Sequence, residues 1–272
     1  MQNIQKAKEV IKESSYLIIT AGAGMGVDSG LPDFRGVEGF WRAYPYAKKL
    51  GVRFEELANP IWFEKNPHLA WAFYGHRLKL YRNTTPHRGF KLLLDIAKSK
   101  KDYFVITSNV DGQFQKAGFN SSKIDEIHGS ICYLQCQDSR CKSGIWSAKD
   151  TNIVVDLENF RAKEPLPHCP ICKRVARPNI LMFNDFNWNS SRERRQRENL
   201  ESFLNNISPN EKVAIIEIGA GEAVPTIRYL SEELASTLNA TLIRINPRDY
   251  IAPPNAISIP LGAKEAIEKI TL

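Results

Sequence analysis

The sequence predicts an α/β fold: a Rossmann-like parallel sheet, broken by two insertions that together make a smaller domain. Three observations predict it. Short apolar runs recur at residues 16–20, 103–107, 213–218 and 241–245, the composition of parallel strands buried on both faces. Segments of helical periodicity lie between them, as βαβ units require. Each run ends in glycine or polar residues, at the sheet edge where open α/β folds bind ligands.

Taken in order, residues 3–14 read as a first helix with Ile4, Ala7, Val10 and Ile11 on one face. The strand at 16–20 runs into a glycine loop that extends to about residue 39. From 40 to 82 the chain turns helical and aromatic (Trp41, Tyr44, Trp62, Trp71, Phe73, Tyr74, Tyr81), and a packed core explains most of these side chains. A helix over 87–98, a strand over 103–107, a helix over 112–117 and a short strand over 124–127 follow. Residues 131–177 break the alternation, with cysteines, prolines and little periodicity. Arg177-Pro178-Asn179 then leads into an expected strand over 180–183. Helices over 190–206 and 224–237, strands over 213–218, 241–245 and 256–259, and a last helix from Gly262 complete the reading. The Rossmann-like part therefore takes residues 1–39, 87–130 and 178–272. Residues 40–86 form a helical insertion and 131–177 a zinc-binding insertion.

Composition narrows the function classes. At 272 residues, 43% hydrophobic and 25% charged, the chain can bury a large and a small core and is ordinary for a soluble protein. No apolar run approaches the roughly 20 residues that span a bilayer. Residues 1–15 lack the apolar centre of a signal peptide, so a cytoplasmic location is expected, with no membrane partner. The net charge of +7 includes Arg192, Arg194, Arg195 and Arg197, which read as a solvated helix face. No aromatic-studded basic motif accompanies them, and no specific nucleic-acid partner is expected.

Five cysteines in such a chain do not make a disulfide framework. Four fall in close pairs, Cys136/Cys141 and Cys169/Cys172. Four thiolates can close a tetrahedral zinc site with no open position, which makes the metal structural. On spacing alone Cys132 competes with Cys136. His168 reads as a surface residue beside Cys169.

The loop after the first run reads Ala21-Gly22-Ala23-Gly24-Met25-Gly26-Val27-Asp28-Ser29-Gly30-Leu31-Pro32-Asp33-Phe34-Arg35-Gly36. Glycines allow a tight turn and close backbone approach to a pyrophosphate. A bare structural turn needs no two carboxylates, Arg and aromatic besides, whereas a dinucleotide can use them all. The second run ends in Ser108-Asn109-Val110-Asp111-Gly112, and the short strand over 124–127 ends in His128-Gly129. His128 titrates near neutrality and is the expected general base. Alone it would read as a packed histidine, but it follows a strand beside the 109–111 loop. Of the other histidines, His76 and His87 fall in predicted helices as packing or surface residues, and His68 in a loop after Pro67.

The glycine loop closely resembles the cofactor loop of the sirtuins, the NAD-dependent protein deacylases. The later motifs match in order, so the resemblance covers nearly the whole chain. It implies that NAD is consumed as a co-substrate, with nicotinamide and O-acyl-ADP-ribose released from acyl-lysine protein or peptide substrates. It also selects Cys136 as the first zinc ligand, eight residues after the catalytic histidine. By the same resemblance Gly22, Ala23 and Gly24 line the phosphates, and Asp28 supports the loop or the ribose. Asp33, Phe34 and Arg35 lie over the nicotinamide ribose. Ser108, Asn109 and Asp111 bind the ribose and carboxamide. Gly219, Asn246, Gly262 and Ala263 cradle the adenosine half. His128 and Asn109 are the expected catalytic residues. Three positions depart from the family: Gly26 and Gly221 replace serines, and Ser108 replaces a glutamine.

Ala58, Tyr74 and Arg77 resemble the small–Tyr–x–x–Arg set of sirtuins that remove acidic acyl groups. Ala58 leaves room for a longer chain, and Arg77 can fork a carboxylate while Tyr74 adds a hydroxyl. Succinyl- and malonyl-lysine then join acetyl-lysine as expected substrates. The plainer alternative places Tyr74 and Arg77 on one helix face with no ligand. Two other functions stay open: an NAD glycohydrolase or ADP-ribosyltransferase without deacylase activity, and a non-catalytic NAD-sensing module.

Overall fold

Helix α1 (Gln2–Glu13) leads into β1 (Tyr16–Ala21), whose side chains show why the apolar runs are strands. Leu17, Ile19 and Ala21 enter one buried cluster and Ile18 enters another on the opposite face. That period of two, apolar on both sides, is the mark of a central strand. Each such side chain removed from water stabilises the fold by about 1.5–3 kcal/mol. The computed structural model describes residues 2–33, 36–49 and 51–271, with the backbone alone at 36–39.

A run of helices follows: α2 (Gly36–Ala43), α3 (Pro45–Lys49), α4 (Phe54–Leu57), α5 (Trp62–Lys65) and the long α6 (Pro67–Asn83). Pro67 opens α6, where its missing N–H costs nothing, and the Asn66 side chain accepts the Leu69 amide at 3.2 Å. His68 is therefore helical, not in a loop, and its ring bonds the Ala162 carbonyl at 2.7 Å. Trp71, Phe73 and Tyr74 are fully buried on successive faces, so α6 is a core helix rather than an amphipathic one.

Then come α7 (Arg88–Lys98), β2 (Asp102–Thr107), α8 (Gln113–Lys116), β3 (Ile124–Glu126), β4 (Gly129–Cys136), β5 (Ile145–Ser147), β6 (Val155–Asp156), β7 (Arg161–Ala162) and β8 (Ala176–Ile180). The chain ends with α9 (Ser191–Asn205), β9 (Val213–Ile218), α10 (Thr226–Thr237), β10 (Thr241–Ile245), β11 (Ile257–Ile259) and α11 (Ala263–Thr271). Six strands form one parallel sheet in the order β3-β2-β1-β9-β10-β11. Helices α1, α7 and α11 cover one face, and α9 and α10 the other. The strand order reverses between β1 and β9, the switch point beyond which such sheets hold ligands.

The expected strand over 180–183 is corrected. The strand is β8, it ends at Ile180, and it pairs antiparallel with β4 in a separate sheet ordered β5-β4-β8. Residues 131–177 likewise hold more regular structure than their irregular composition suggests. Gly129 makes this pairing possible: its φ is +77°, and a Cβ there would stand 2.2 Å from the Asn179 carbonyl oxygen. The small sheet and helices α2–α6 share one core, into which Phe40, Trp71, Phe73, Ile131, Leu134 and Ala162 all pack. Trp71 Nε1 donates to the Ala176 carbonyl at 2.9 Å, and Arg82 Nη1 to that of Thr151 at 2.5 Å. The two insertions thus fold against each other as one smaller unit.

Candidate functional site

A crevice of about 540 Å³ opens where the two sheets meet. Its floor on the parallel side is built from two turns that touch. Gly22 N donates to the Ile218 carbonyl and Gly24 N to the Gly219 carbonyl, both at 3.0 Å. A Cβ on Gly22 would stand 2.7 Å from Gly219 O, and one on Gly24 2.6 Å from Gly219 Cα. Gly219 itself, at φ +64°, would clash with Gly24 C at 2.4 Å. The glycines are thus required by the meeting of the β1 and β9 turns, and all three line the crevice with no side chain in the way.

The end of β2 is tied to the same turn. Thr107 Oγ1 donates to the Ala21 carbonyl at 2.9 Å and accepts the Asn109 amide at 3.0 Å, while Asn109 Nδ2 donates to the Gly22 carbonyl at 2.9 Å. Asp111 Oδ1 accepts the Gln113 amide at 2.9 Å. Burial, reinforced by the nearby Glu126 charge, outweighs that bond and the Arg77 charge and lifts the Asp111 carboxyl to about 6. His128 is held below its ordinary value by burial, against a hydrogen bond to the Ser108 backbone. Its imidazole is therefore neutral at pH 7 and can accept a proton.

The other end of the crevice lies against α6. Ala58, Tyr74 and Arg77 line it together with Val110, Ile180 and Met182. Arg77 is buried, and its guanidinium carbon lies 5.2–5.7 Å from the ring centroids of Phe73, Tyr74 and Tyr81. An extended segment bridges the two ends, with Leu181 N donating to the His128 carbonyl at 3.0 Å and Phe183 N to that of Ala58 at 2.9 Å. Asp185, in a buried ion pair with Arg177, anchors this segment from below.

The crevice therefore collects Gly22, Ala23, Gly24, Asp33, Ser108, Asn109, Asp111, His128 and Gly219 with Ala58, Tyr74 and Arg77. Asp33 also faces Arg248 at 3.7 Å. Four expected residues do not line it. Asp28 is exposed, and its Oδ2 accepts the Lys264 amide at 2.8 Å, capping α11. Gly262 and Ala263 belong to that cap, and a Cβ on Gly262 would sit 3.5 Å from the Asp28 carboxylate. Asn246 is buried one layer down, where Nδ2 donates to the Ala220 carbonyl and Oδ1 accepts the amides of Arg248 and Asp249, tying the β9 and β10 turns together. Phe34 and Arg35 lie outside the described residues.

Two contributors escape the sequence reading. His87 caps α7 besides packing against Phe90: Nδ1 accepts the Gly89 amide and Nε2 donates to the Met25 carbonyl, both at 3.0 Å, fastening the glycine turn to α7. Tyr81 lines the crevice one turn after Arg77, and only that i, i+4 spacing could have marked it.

The sulfur atoms of Cys136, Cys141, Cys169 and Cys172 all lie within 4.8 Å of one another. The closest pairs, at 3.4 and 3.6 Å, are far beyond a disulfide bond and close to the roughly 3.8 Å edge of a ZnS4 tetrahedron. The Cys169 sulfur also accepts backbone N–H groups from Ile171 and Cys172, which favours the thiolate. The donor set fits zinc. Cys132 lies apart on β4 with its sulfur near Gly112, and the His168 ring bonds the Leu166 carbonyl.

Residues 22–204, more than half of the chain, match the Sir2 family. The chain belongs to the Sir2 family. A protein from Leptospira interrogans (serovar Lai) named NAD-dependent protein deacylase is 33% identical over 232 residues, covering 84% of this chain and 79% of its own length. One of the same name from Thermococcus sibiricus is 34% identical over 185 residues, 67% of this chain. That alignment spans 65% of the Thermococcus protein, so the chain matches just under two thirds of its length. Among solved structures, a Sir2 homologue in complex with NAD superposes with a TM-score of 0.70 at 25% identity, covering 98% of this chain and 92% of that one. A mutant Sir2 homologue bound to ADP-ribose gives 0.71, again at 25% identity, with 98% and 94% covered. This Sir2-family chain thus shares both the parallel sheet and the added small unit with its relatives. No helix among its described residues is long and apolar enough to cross a membrane.

Proposed function

We propose that this chain is an NAD-dependent protein-lysine deacylase, which moves an acyl group from lysine to ADP-ribose and releases nicotinamide. One observation carries the reading: a neutral, half-buried histidine, an Asn–Asp loop and two interlocked glycine turns share a single crevice with a pocket for a side chain. NAD, when bound, supplies an electrophilic ribose carbon with a neutral leaving group. The side-chain-free wall at Gly22, Gly24 and Gly219 leaves room for its phosphates. Asp111 offers a carboxylate to an amide N–H above pH 6. His128, neutral at pH 7, takes a proton from a ribose hydroxyl. Positioning and fixed charges supply most of the rate. Zinc on the four cysteines would hold the small sheet, from which the 181–183 segment departs toward His128.

The substrates are acyl-lysine peptides, laid as an added strand against the 183–185 and 220–225 loops. Leu181, Phe183, Phe186 and Val224 are exposed large apolar side chains near this entrance. Arg77 at the far wall favours acyl groups that end in a carboxylate, succinyl and malonyl over acetyl.

The test is to incubate the protein with NAD and acetyl-, succinyl- and malonyl-lysine peptides and to separate the products. O-acyl-ADP-ribose supports the proposal. Free ADP-ribose without peptide dependence supports the second reading, an NAD glycohydrolase or ADP-ribosyltransferase. Ser108 favours that second reading, because it lines the crevice with a shorter side chain than the glutamine of the family pattern. No NAD loss would leave a sensing module.

A further inference from the structure

Tyr81 stands one turn beyond Arg77 on α6, 6% exposed and in the wall of the crevice. Arg77 Nε and Nη2 both donate to its phenol oxygen, at 2.9 and 2.8 Å. Its backbone carbonyl accepts Gln113 Nε2 at 3.1 Å, and the Gln113 amide donates to Asp111. The ring is therefore fixed at both ends, by the cation on one side and by the loop that carries Asp111 on the other.

A phenol oxygen has two acceptor lone pairs and one proton to give. Arg77 fills both lone pairs with one edge of its guanidinium. The O–H is then left to donate, and two charged donors on the same oxygen polarise it into a stronger donor. Burial keeps the phenol protonated, since the Tyr81 value is raised by desolvation. A carboxylate brought in by an acyl chain between Ala58 and Tyr74 meets a positioned cation and this hydroxyl together.

We propose that Tyr81 is a specificity-determining residue: it locks Arg77 by its Nε/Nη2 edge and donates its own O–H to the terminal carboxylate of a succinyl or malonyl group. This inference rests on the acidic-acyl reading of Arg77 and adds to it a second anchor that acts through the first.

The experiment measures Kd by fluorescence anisotropy for a labelled peptide carrying one succinyl-lysine and for its acetyl-lysine twin. The proteins are wild type, Tyr81→Phe, Arg77→Met and the double variant, each checked by thermal melting. Phenylalanine keeps the ring and its packing. Tyr81→Phe should weaken the succinyl peptide about tenfold and leave the acetyl peptide within about twofold. In the Arg77→Met background the same change should cost the succinyl peptide much less. Equal weakening of both peptides would make Tyr81 a packing residue, and an undiminished succinyl loss without Arg77 would show that it does not act through Arg77; either result overturns the inference alone. A wild type that binds both peptides alike, or an Arg77→Met variant with an unchanged succinyl-to-acetyl ratio, would remove the acidic pocket itself and this proposal with it.

Discussion

The crevice has two ends made of different material. Against the parallel sheet its wall is backbone: Gly22, Gly24 and Gly219 meet so closely that no Cβ fits. Against α6 its wall is side chain, with Arg77 among three aromatic rings. A backbone wall is set by the fold and recognises a constant group. A side-chain wall changes with one substitution and can follow a variable one. Such a division suits the proposed function, in which one co-substrate meets varied acyl-lysine peptides.

The largest effect expected is at the junction of the two ends. His128→Ala should lower peptide-dependent turnover by about 10²–10⁴-fold while NAD titration gives an unchanged Kd; unchanged turnover would move the base elsewhere. Removing metal tests the side-chain end as a unit. A chelator or Cys169→Ala should lower the melting midpoint by about 10 °C and abolish peptide binding before NAD binding. Simultaneous loss of both would mean that the two ends are not separately supported.

Gly219→Ala attacks the backbone end. The φ of +64° costs about 1–3 kcal/mol for a residue with a Cβ, before the clash with Gly24 is counted. The midpoint should fall by about 5 °C or more, and NAD should no longer raise it. A variant still stabilised by NAD would show that the turns have slack.

The smallest effect has the opposite sign. Burial lifts the Asp111 carboxyl from its ordinary 3.8 to about 6, so the folded state holds its proton more tightly than the unfolded chain. Ionised, the carboxylate opposes folding, by up to about 3 kcal/mol above pH 6, and this fades as pH falls toward 4. Asp111→Asn should therefore raise stability at pH 8, give no gain at pH 4, and impair turnover. Denaturant melts at the two pH values decide it: equal gains at both would remove the charge from the explanation.

Much of the parallel sheet was legible because strands buried on both faces need uninterrupted apolar runs, and Leu17 to Ile19 can be little else. The cysteine pairs were legible because few structures other than a metal site need four thiols at that spacing. Strand β8 was not, because Arg177 and Pro178 argue against a buried strand. The Asp185 carboxylate that partners Arg177 arrives only through tertiary folding. The cap formed by Asp28 and Gly262 was hidden for a related reason. Their meeting joins chain segments more than 230 residues apart, and nothing local distinguishes a helix cap from a ribose ligand. Tyr81 and His87 were hidden in helical spacing, where packing and function look alike.

Gly129 has a wider consequence. It follows His128 directly and turns the chain into β4, while the 181–183 segment returns from β8 to bond the His128 carbonyl. The insertion and the His128 imidazole therefore share one turn of the polypeptide. An exchange of this insertion would therefore disturb the seat of the histidine as well, so that, under the proposed function, peptide choice and proton transfer would change together.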